Sequence, residues 1–210
     1  MNDQLDEQAR EVAVAVYGPR FEHISRYVDI VTRRGIEWGL LGPREPERIW
    51  SRHILNCAAL SELLPQGTDV VDIGSGAGLP GLPVAILRPD LRVTLVESLK
   101  RRAEFLDLAV AELGLGDRVR VIRGRAEEQK LTPDVVTCRA VAPLDKLVRW
   151  TAPYLLPHGQ LIALKGERAE AEVNEHAAEL ARRRLSATVM SIRAHQLAEP
   201  TQAVVVRRTV

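Results

Sequence analysis

The run VVDIGSGAG at residues 70–78 joins an apolar segment to a turn that contains three glycines. Because glycine has no side chain, the backbone N–H groups of such a turn can approach a ligand closely. Glu97 ends the next apolar run, where its carboxylate is placed to accept hydrogen bonds from the two hydroxyls of a ribose. The pattern therefore predicts a site for a nucleoside-containing cofactor.

Two cofactors fit this turn. The run GAGLPG at residues 76–81, with Glu97 behind it, matches the dinucleotide fingerprint Gly-x-Gly-x-x-Gly of NAD(P)-dependent oxidoreductases. S-adenosylmethionine is favoured because Asp72 and Gly74 extend the motif to Asp-x-Gly-x-Gly-x-Gly, and because the sequence has no Tyr-x-x-x-Lys pair for hydride chemistry. A third interpretation is a turn that only connects a strand to a helix. The position of the Glu97 carboxylate at the end of the next strand disfavours it.

Three further positions follow apolar runs. Ala126 and Glu127 come after RVRVIRGR, where a short side chain and a carboxylate can bracket an adenine ring, although a solvated helix start explains them equally well. Arg139 leaves a central strand at the edge where open α/β sheets bind ligands, which favours a functional role. Lys165 ends the next strand, and an ordinary solvated lysine is the alternative there.

Other candidate residues carry weaker signals. Arg52 and His53 lie in a segment with helical spacing, but a histidine on an apolar helix face is more often a packed core residue. Cys138 would allow thiolate attack on a pyrimidine ring, yet a small buried residue at a strand end is the favoured interpretation.

The first 65 residues are expected to form a helical cap. Apolar residues recur at helical spacing between Pro19 and Gly35, a segment rich in glycine and proline follows, and a second helix is predicted from Glu47 to Leu64. From residue 66 to residue 210 we expect a Rossmann-like domain, with the cap and this domain packed as one unit.

Strand and helix patterns alternate after residue 68, which predicts a parallel sheet covered on both faces. Extended runs are predicted at 69–74, 92–98, 118–124, 133–141 and 160–166, and helices at 80–87, 100–113, 144–154 and 168–184. The last runs, 185–194 and 202–210, lie too close together for a crossover helix, so we expect an antiparallel pair at the sheet edge.

Composition narrows the function classes. The 210 residues carry 29 Lys and Arg against 28 Asp and Glu, a net charge of +1, which argues against non-specific coating of nucleic acid but leaves RNA binding open. Two distant cysteines without a Cys-x-x-Cys pair predict neither a zinc site nor an oxidising compartment. With no secretory signal and no long apolar run, we expect a cytoplasmic protein that does not enter a membrane.

Several motifs together resemble the bacterial ribosomal RNA small subunit methyltransferase G family, also called glucose-inhibited division protein B. They are RHILNC, VVDIGSGAGLPGLPVAILRPDLRVTLVES, SLKRRAEFL, CRAVAPLDKL and ALKG, and they extend from about Arg52 to Gly166. The resemblance implies a class I (Rossmann-like) S-adenosylmethionine-dependent methyltransferase. The fold would have a mostly parallel seven-stranded sheet, an antiparallel edge pair and the N-terminal helical cap.

The resemblance also implies an activity: methylation of N7 of one guanine in the decoding-region loop of 16S rRNA, within the small ribosomal subunit or an assembly intermediate. Arg139 and Lys165 would be the catalytic residues, and Arg52, His53 and Lys165 would face the RNA. The cofactor would contact Gly74, Ser75, Gly76, Gly78, Leu79, Glu97, Ala126, Glu127 and Arg139. No metal is expected.

The chain departs from the family pattern in the cap and beside Arg139. Many members read Asp-Ser where this chain has Asn56-Cys57, and the segment at residues 38–42 replaces a Trp-Asn-x-x-x-Asn-Leu-Thr stretch. The family usually carries serine where Cys138 stands, which counts against a required cysteine nucleophile. An NAD(P)-dependent oxidoreductase and a non-catalytic ribosome-binding module remain the alternative functions.

Overall fold

The computed structural model describes residues 2–139, 142–155 and 158–209. In these residues seven strands form one sheet, in the order β3-β2-β1-β4-β5-β7-β6. The strands are β1 (Asp69–Ile73), β2 (Arg92–Glu97), β3 (Val119–Arg123), β4 (Val135–Arg139), β5 (Gln160–Lys165), β6 (Leu185–Ile192) and β7 (Thr201–Arg208). β1 to β5 run parallel and β7 pairs antiparallel with both β5 and β6, so the predicted sheet and its antiparallel edge pair are confirmed.

The helices are α1 (Asn2–Tyr17), α2 (Phe21–Glu37), α3 (Leu55–Ala59), α4 (Gly81–Leu87), α5 (Lys100–Glu112), α6 (Leu144–Thr151) and α7 (Ala169–Arg182). Four of the predicted helices lie within about two residues of α2, α4, α5 and α7, inside the usual uncertainty of helix ends. The helix predicted over 144–154 ends at Thr151, where a 3₁₀ turn begins. The predicted strand 133–141 is shorter, and residues 140 and 141 lie outside the described residues.

The helical stretch predicted from Glu47 to Leu64 is confirmed, but it is not one regular α-helix. The chain forms a 3₁₀ turn at Glu45–Arg48, a wide π-helical turn at Ile49–Ile54, the short α3 and another 3₁₀ turn at Leu60–Leu63. The reason lies in a distant part of the chain, because the Asp6 carboxylate on α1 accepts hydrogen bonds from the backbone N–H groups of Trp50 and Ser51 at 3.3 and 2.8 Å. These two hydrogen bonds hold the start of the π-helical turn in place.

The core consists of two apolar clusters, one on each face of the sheet. We call the side packed by the N-terminal cap, α4 and α5 the cap face, and the side packed by α6 and α7 the far face. Cap side chains and sheet side chains belong to the same cap-face cluster, so the core crosses the predicted boundary at residues 65 and 66. The division into two domains stays a prediction.

Hydrogen bonds also attach the cap to the region of the glycine turn. The Tyr27 hydroxyl donates to the Ala77 carbonyl at 2.9 Å, and the Tyr17 hydroxyl donates to the Pro83 carbonyl at 3.3 Å. Both tyrosines are fully buried, so each hydroxyl needs such an acceptor. None of the helices in the described ranges is long and apolar enough to cross a membrane.

Candidate active site

The turn after β1 adopts a backbone conformation that glycine favours. Gly74, Gly76 and Gly78 have φ angles of +66°, +56° and +96°. At Gly78 a Cβ atom would lie 2.4 Å from Cδ1 of Leu82, so a larger residue would also collide with α4. The glycines that sequence analysis assigned to the cofactor therefore serve the shape of the turn.

Glu97 joins the end of β2 to this turn. Its Oε2 accepts the Gly76 N–H and its Oε1 accepts the Leu99 N–H, both at 3.0 Å. The residue is only 3% exposed. Since each carboxylate oxygen can accept a second hydrogen bond, Glu97 can hold the turn and still receive the hydroxyls of a ribose.

Asp72 lies beneath the same turn and is fully buried. Its Oδ2 accepts the Gly81 N–H at 3.1 Å, whereas its Oδ1 is buried and has no hydrogen-bond partner in the described part of the chain. Burial raises the pKa of Asp72 to about 7, although the hydrogen bond from the Gly81 N–H acts in the opposite direction. Sequence analysis used Asp72 only to extend the glycine motif and did not predict it as a site residue.

A main cleft of about 560 Å³ opens at the carboxyl ends of the strands on the cap face. One wall is the glycine turn with Glu97, and the opposite wall is formed by the cap. The lining residues are Leu40, Leu41, Glu45, Arg52, His53, Gly74, Ser75, Gly76, Ala77, Leu79, Glu97, Ser98, Leu99, Arg102 and Arg139. The structure thus brings the predicted cofactor turn, Arg139 and the Arg52-His53 pair together around one space.

A smaller cavity of about 250 Å³ adjoins the main cleft and shares Gly74 and Ser98 with it. Ala126 and Glu127 line this cavity, which places both predicted adenine-end residues next to the glycine turn. Trp150 lines it too and was missed by sequence analysis. Its helix, α6, follows a segment with no glycine or charge pattern that would have marked the tryptophan as a site residue.

Arg139 connects the end of β4 to the π-helical turn. Its Nη2 donates to the Arg52 carbonyl at 3.2 Å, and its Nη1 lies 3.7 Å from the Sγ of Cys57. Burial raises the pKa of Cys57 to about 11 despite this guanidinium, so the thiol stays protonated at neutral pH. Arg139 therefore presents its remaining N–H donors to the main cleft while the cap fixes its position.

Next to Arg139, His53 and Glu45 form a hydrogen-bonded pair in the cap wall. His53 is 7% exposed, and its Nε2 lies 2.6 Å from Oε2 of Glu45. Burial, aided by the Arg139 charge, lowers the pKa of His53 to about 4, so the imidazole is neutral at neutral pH. Glu45 was missed by sequence analysis, since it lies in an irregular segment eight residues before His53.

Lys165 lies on the far face, away from the main cleft. Its ammonium donates to the Ala142 carbonyl and to Oε1 of Glu172, both at 2.9 Å, and its side chain is 13% exposed. Strand register explains the placement: Arg139 is paired with Leu164, so Lys165 is one residue out of step and points to the opposite face. The predicted roles of Lys165 in catalysis and RNA binding stay predictions.

The fold and the site define a class of protein. A mostly parallel seven-stranded sheet with an antiparallel edge pair, a glycine turn after β1 and an acid at the end of β2 are the features of a class I S-adenosylmethionine-dependent methyltransferase. The residues fit that cofactor, since the glycine turn and the Glu97 carboxylate line one cleft, and the buried Asp72 carboxyl with its unpartnered Oδ1 lies beneath that turn.

Solved structures agree on the fold. The chain is similar to mitomycin 7-O-methyltransferase MmcR, with a TM-score of 0.60, 22% identity, and coverage of 79% of this chain and 57% of that one. It is also similar to NcsB1, an O-methyltransferase from neocarzinostatin biosynthesis solved in complex with S-adenosylmethionine. That match has a TM-score of 0.52, 17% identity, and coverage of 67% of this chain and 48% of that one.

Sequence comparison identifies the family within this class. A family model described as rRNA small subunit methyltransferase G matches residues 20–199. The ribosomal RNA small subunit methyltransferase G of Mycolicibacterium smegmatis is 56% identical over 79% of this chain and 72% of its own length. That of Mycolicibacterium vanbaalenii is 49% identical over 93% and 88%. The chain belongs to the rRNA small subunit methyltransferase G family, which confirms the resemblance.

Proposed function

We propose that this chain transfers a methyl group from S-adenosylmethionine to N7 of a guanine in the decoding-region loop of 16S rRNA. The observation that carries the proposal is the main cleft, in which the glycine turn and Glu97 face Arg139, Arg52 and His53 across one space. Family membership supplies the reaction class. One side of the cleft can hold the cofactor, and the other side, which we call the base side, can hold the target guanine.

On the cofactor side, different residues would contact different parts of S-adenosylmethionine. The glycine turn with Leu79 would hold the methionine end, Glu97 the ribose hydroxyls, and Ala126, Glu127 and Trp150 the adenine. Bound S-adenosylmethionine supplies an electrophilic methyl on a sulfonium sulfur, so that the N–C bond forms as the C–S bond breaks and its electron pair returns to sulfur.

The base side needs no residue that removes a proton. Guanine N7 has an in-plane lone pair and carries no hydrogen, so attack requires no general base. The buried, neutral His53 is hydrogen-bonded to Glu45 and fits a positioning role. Arg139 would donate to guanine O6, the contact that arginine commonly makes with guanine. Holding N7 in line with the methyl group accounts for most of the rate, an effect that supplies up to about 7–11 kcal/mol.

The substrate we propose is 16S rRNA within the small ribosomal subunit or an assembly intermediate, in the bacterial cytoplasm. Arg52 supports the RNA contact, because its side chain is 53% exposed at the mouth of the cleft. A near-neutral protein gains little from non-specific attraction to phosphate, so a preformed RNA shape favours recognition. For Lys165 the ion pair with Glu172 supports a positioning role at the end of β5.

The decisive experiment measures transfer of labelled methyl from S-adenosylmethionine to small subunits and to deproteinised 16S rRNA, both from a strain that lacks this protein. Borohydride and aniline treatment then cleaves the RNA at 7-methylguanine. We expect cleavage at one loop guanine, with the better acceptor identifying the assembly stage. Label without cleavage would discard the N7 assignment, and no label would favour the non-catalytic binding module.

A thermal shift separates methyltransferase from oxidoreductase. A ligand present at about one hundred times its Kd stabilises a protein by about 2.7 kcal/mol. We expect S-adenosylmethionine to raise the Tm and NAD to leave it unchanged. A shift with NAD alone would favour the oxidoreductase.

A further inference from the structure

The Glu45 carboxylate lines the main cleft and retains acceptor sites for further hydrogen bonds. Its side chain is 19% exposed, and each oxygen already accepts one hydrogen bond: Oε1 from Arg48 Nη2 at 2.5 Å, and Oε2 from His53 Nε2 at 2.6 Å. Arg52 Nε lies 3.9 Å away, which is an ion pair and too long for a hydrogen bond. Since a carboxylate has about four acceptor sites, one on each oxygen remains available.

This carboxylate is charged at neutral pH. Burial works to raise the pKa of Glu45, but the hydrogen bonds from His53 and Arg48 outweigh it and lower the pKa below its ordinary value. Glu45 is therefore an acceptor only. A carboxylate with an unused acceptor site on each oxygen can receive a pair of adjacent N–H donors.

Glu45 and Arg139 line the same cleft and are connected through the cap. Arg139 donates to the Arg52 carbonyl, and the next residue, His53, is hydrogen-bonded to Glu45. Passing around guanine from N7, the next groups are the O6 acceptor, the N1–H donor and the 2-amino donor. A guanine whose O6 accepts a hydrogen bond from Arg139 would therefore need an acceptor for two adjacent donors, and the Glu45 carboxylate in the same cleft offers one.

We infer that Glu45 accepts hydrogen bonds from N1–H and the 2-amino group of the target guanine and is a specificity-determining residue of this enzyme. The inference rests on the proposed function. Adenine lacks both donors and would present its N1 lone pair to a carboxylate, so the same contact rejects it. His53 and Arg48 act as positioning residues that hold the carboxylate in place.

The same contact assists the reaction. Methylation at N7 gives the purine ring a positive charge, which makes N1–H a stronger donor, so a carboxylate at that edge binds the transition state more tightly than the neutral base. It also offsets the Arg139 cation on the neighbouring edge. No proton leaves the base.

The first test uses the wild-type protein and 16S rRNA assembled by ligation with guanine, inosine or adenine at the target position. Inosine keeps N7, O6 and N1–H but lacks the 2-amino group. We expect inosine to lower kcat/KM by about 10- to 100-fold, the loss of one hydrogen bond to a charged acceptor. Equal rates with guanine and inosine would overturn the inference. Failure to methylate the guanine RNA would instead overturn the proposed function.

The second test compares Glu45→Gln with Glu47→Gln, a matched loss of charge at an exposed position two residues away. We expect Glu45→Gln to reduce the guanine-to-inosine ratio to within about threefold, because a neutral amide discriminates less than a carboxylate. Glu47→Gln should keep the wild-type ratio. A Glu45→Gln enzyme that slows on both RNAs equally has lost only structure, and that result contradicts the inference. If Glu45→Gln does not fold, Glu45→Asp replaces it, with an intermediate ratio expected and an unchanged ratio counting against the inference.

Discussion

The cap face and the far face of the sheet each bury charged side chains near the carboxyl ends of the strands. On the cap face, Asp72 Oδ1 and His53 Nδ1 are buried without a partner among the described residues. On the far face, the Lys165 ammonium donates to Glu172, whose carboxylate also accepts the Leu144 N–H at 2.5 Å.

Leaving buried polar atoms without a partner lowers the stability of the fold. A buried polar atom without a partner loses about 1–3 kcal/mol of stability, so a fold tolerates it mainly where a ligand or a chemical task requires it. Around Lys165 on the far face, by contrast, the polar groups are paired. Changes among the unpartnered groups of the cap face should therefore affect activity first, and changes around Lys165 should affect stability first.

The largest expected effect follows Arg139→Ala on the cap face. Loss of the guanidinium removes charged hydrogen bonds to the base, so kcat/KM should fall by at least about 100-fold. Cofactor affinity measured by calorimetry should remain, and the Tm should change little. Arg149→Ala, on the exposed side of α6, is the matched control and should keep full activity. Unchanged turnover in the Arg139 variant would remove this residue from the site.

On the far face, Lys165→Met should reverse this pattern. Breaking the nearly buried ion pair with Glu172 should lower the free energy of unfolding by about 2–3 kcal/mol, measured by urea denaturation. Activity of the folded enzyme should stay within about threefold, and the salt dependence of RNA binding should keep its slope. Lys146→Met, at an exposed site on α6, is the control. A slope smaller by about 1 would place Lys165 on a phosphate and contradict this prediction.

Asp72→Asn tests how much folding stability the buried Asp72 carboxyl removes as the pH rises. The pKa of Asp72 is about 7 in the folded protein against an ordinary 3.8, so the native state binds the proton more tightly than the unfolded chain. Stability contributed by this group is therefore lost as pH rises from about 4 to about 7. We expect the wild type to lose about 2 kcal/mol more than Asp72→Asn between pH 5 and pH 8. An exposed-site variant, Asp107→Asn, should follow the wild type, and parallel curves for Asp72→Asn would refute this cost.

The smallest effects are expected at the two cysteines, one on each face. Cys57→Ala removes a weak contact with Arg139 and should lower turnover about threefold. Burial raises the pKa of the far-face Cys138 to about 12, so this thiol is a poor nucleophile, and Cys138→Ala should leave turnover unchanged. A large loss with Cys138→Ala alone would revive the cysteine-nucleophile interpretation.

Local patterns in the sequence predicted the cofactor side of the site. The glycine turn and Glu97 are close in sequence to the strands that carry them, and the alternation of elements dictates which strand ends meet. The cap side was less predictable. Glu45 lies in an irregular 3₁₀ turn, and the π-helical turn that follows it is held by Asp6, 44 and 45 residues before Trp50 and Ser51.

The prediction that Arg139 and Lys165 are both catalytic residues shows another limit of sequence analysis. Both residues were correctly predicted at neighbouring strand ends, but which face each points to depends on a one-residue difference in register. Strand register between β4 and β5 is set by packing of the whole sheet, so neither segment reveals it alone.

The position of β7 in the sheet has a consequence for synthesis of the protein. β7 is the last strand of the described chain, yet it lies between β5 and β6, so β6 has no hydrogen-bonded neighbour until β7 has been made. A nascent chain that stops before residue 201 would expose an unpaired β5 edge and a free β6 strand, both templates for pairing with other chains. Truncated products should therefore aggregate, and a functional enzyme should arise only from chains completed through β7.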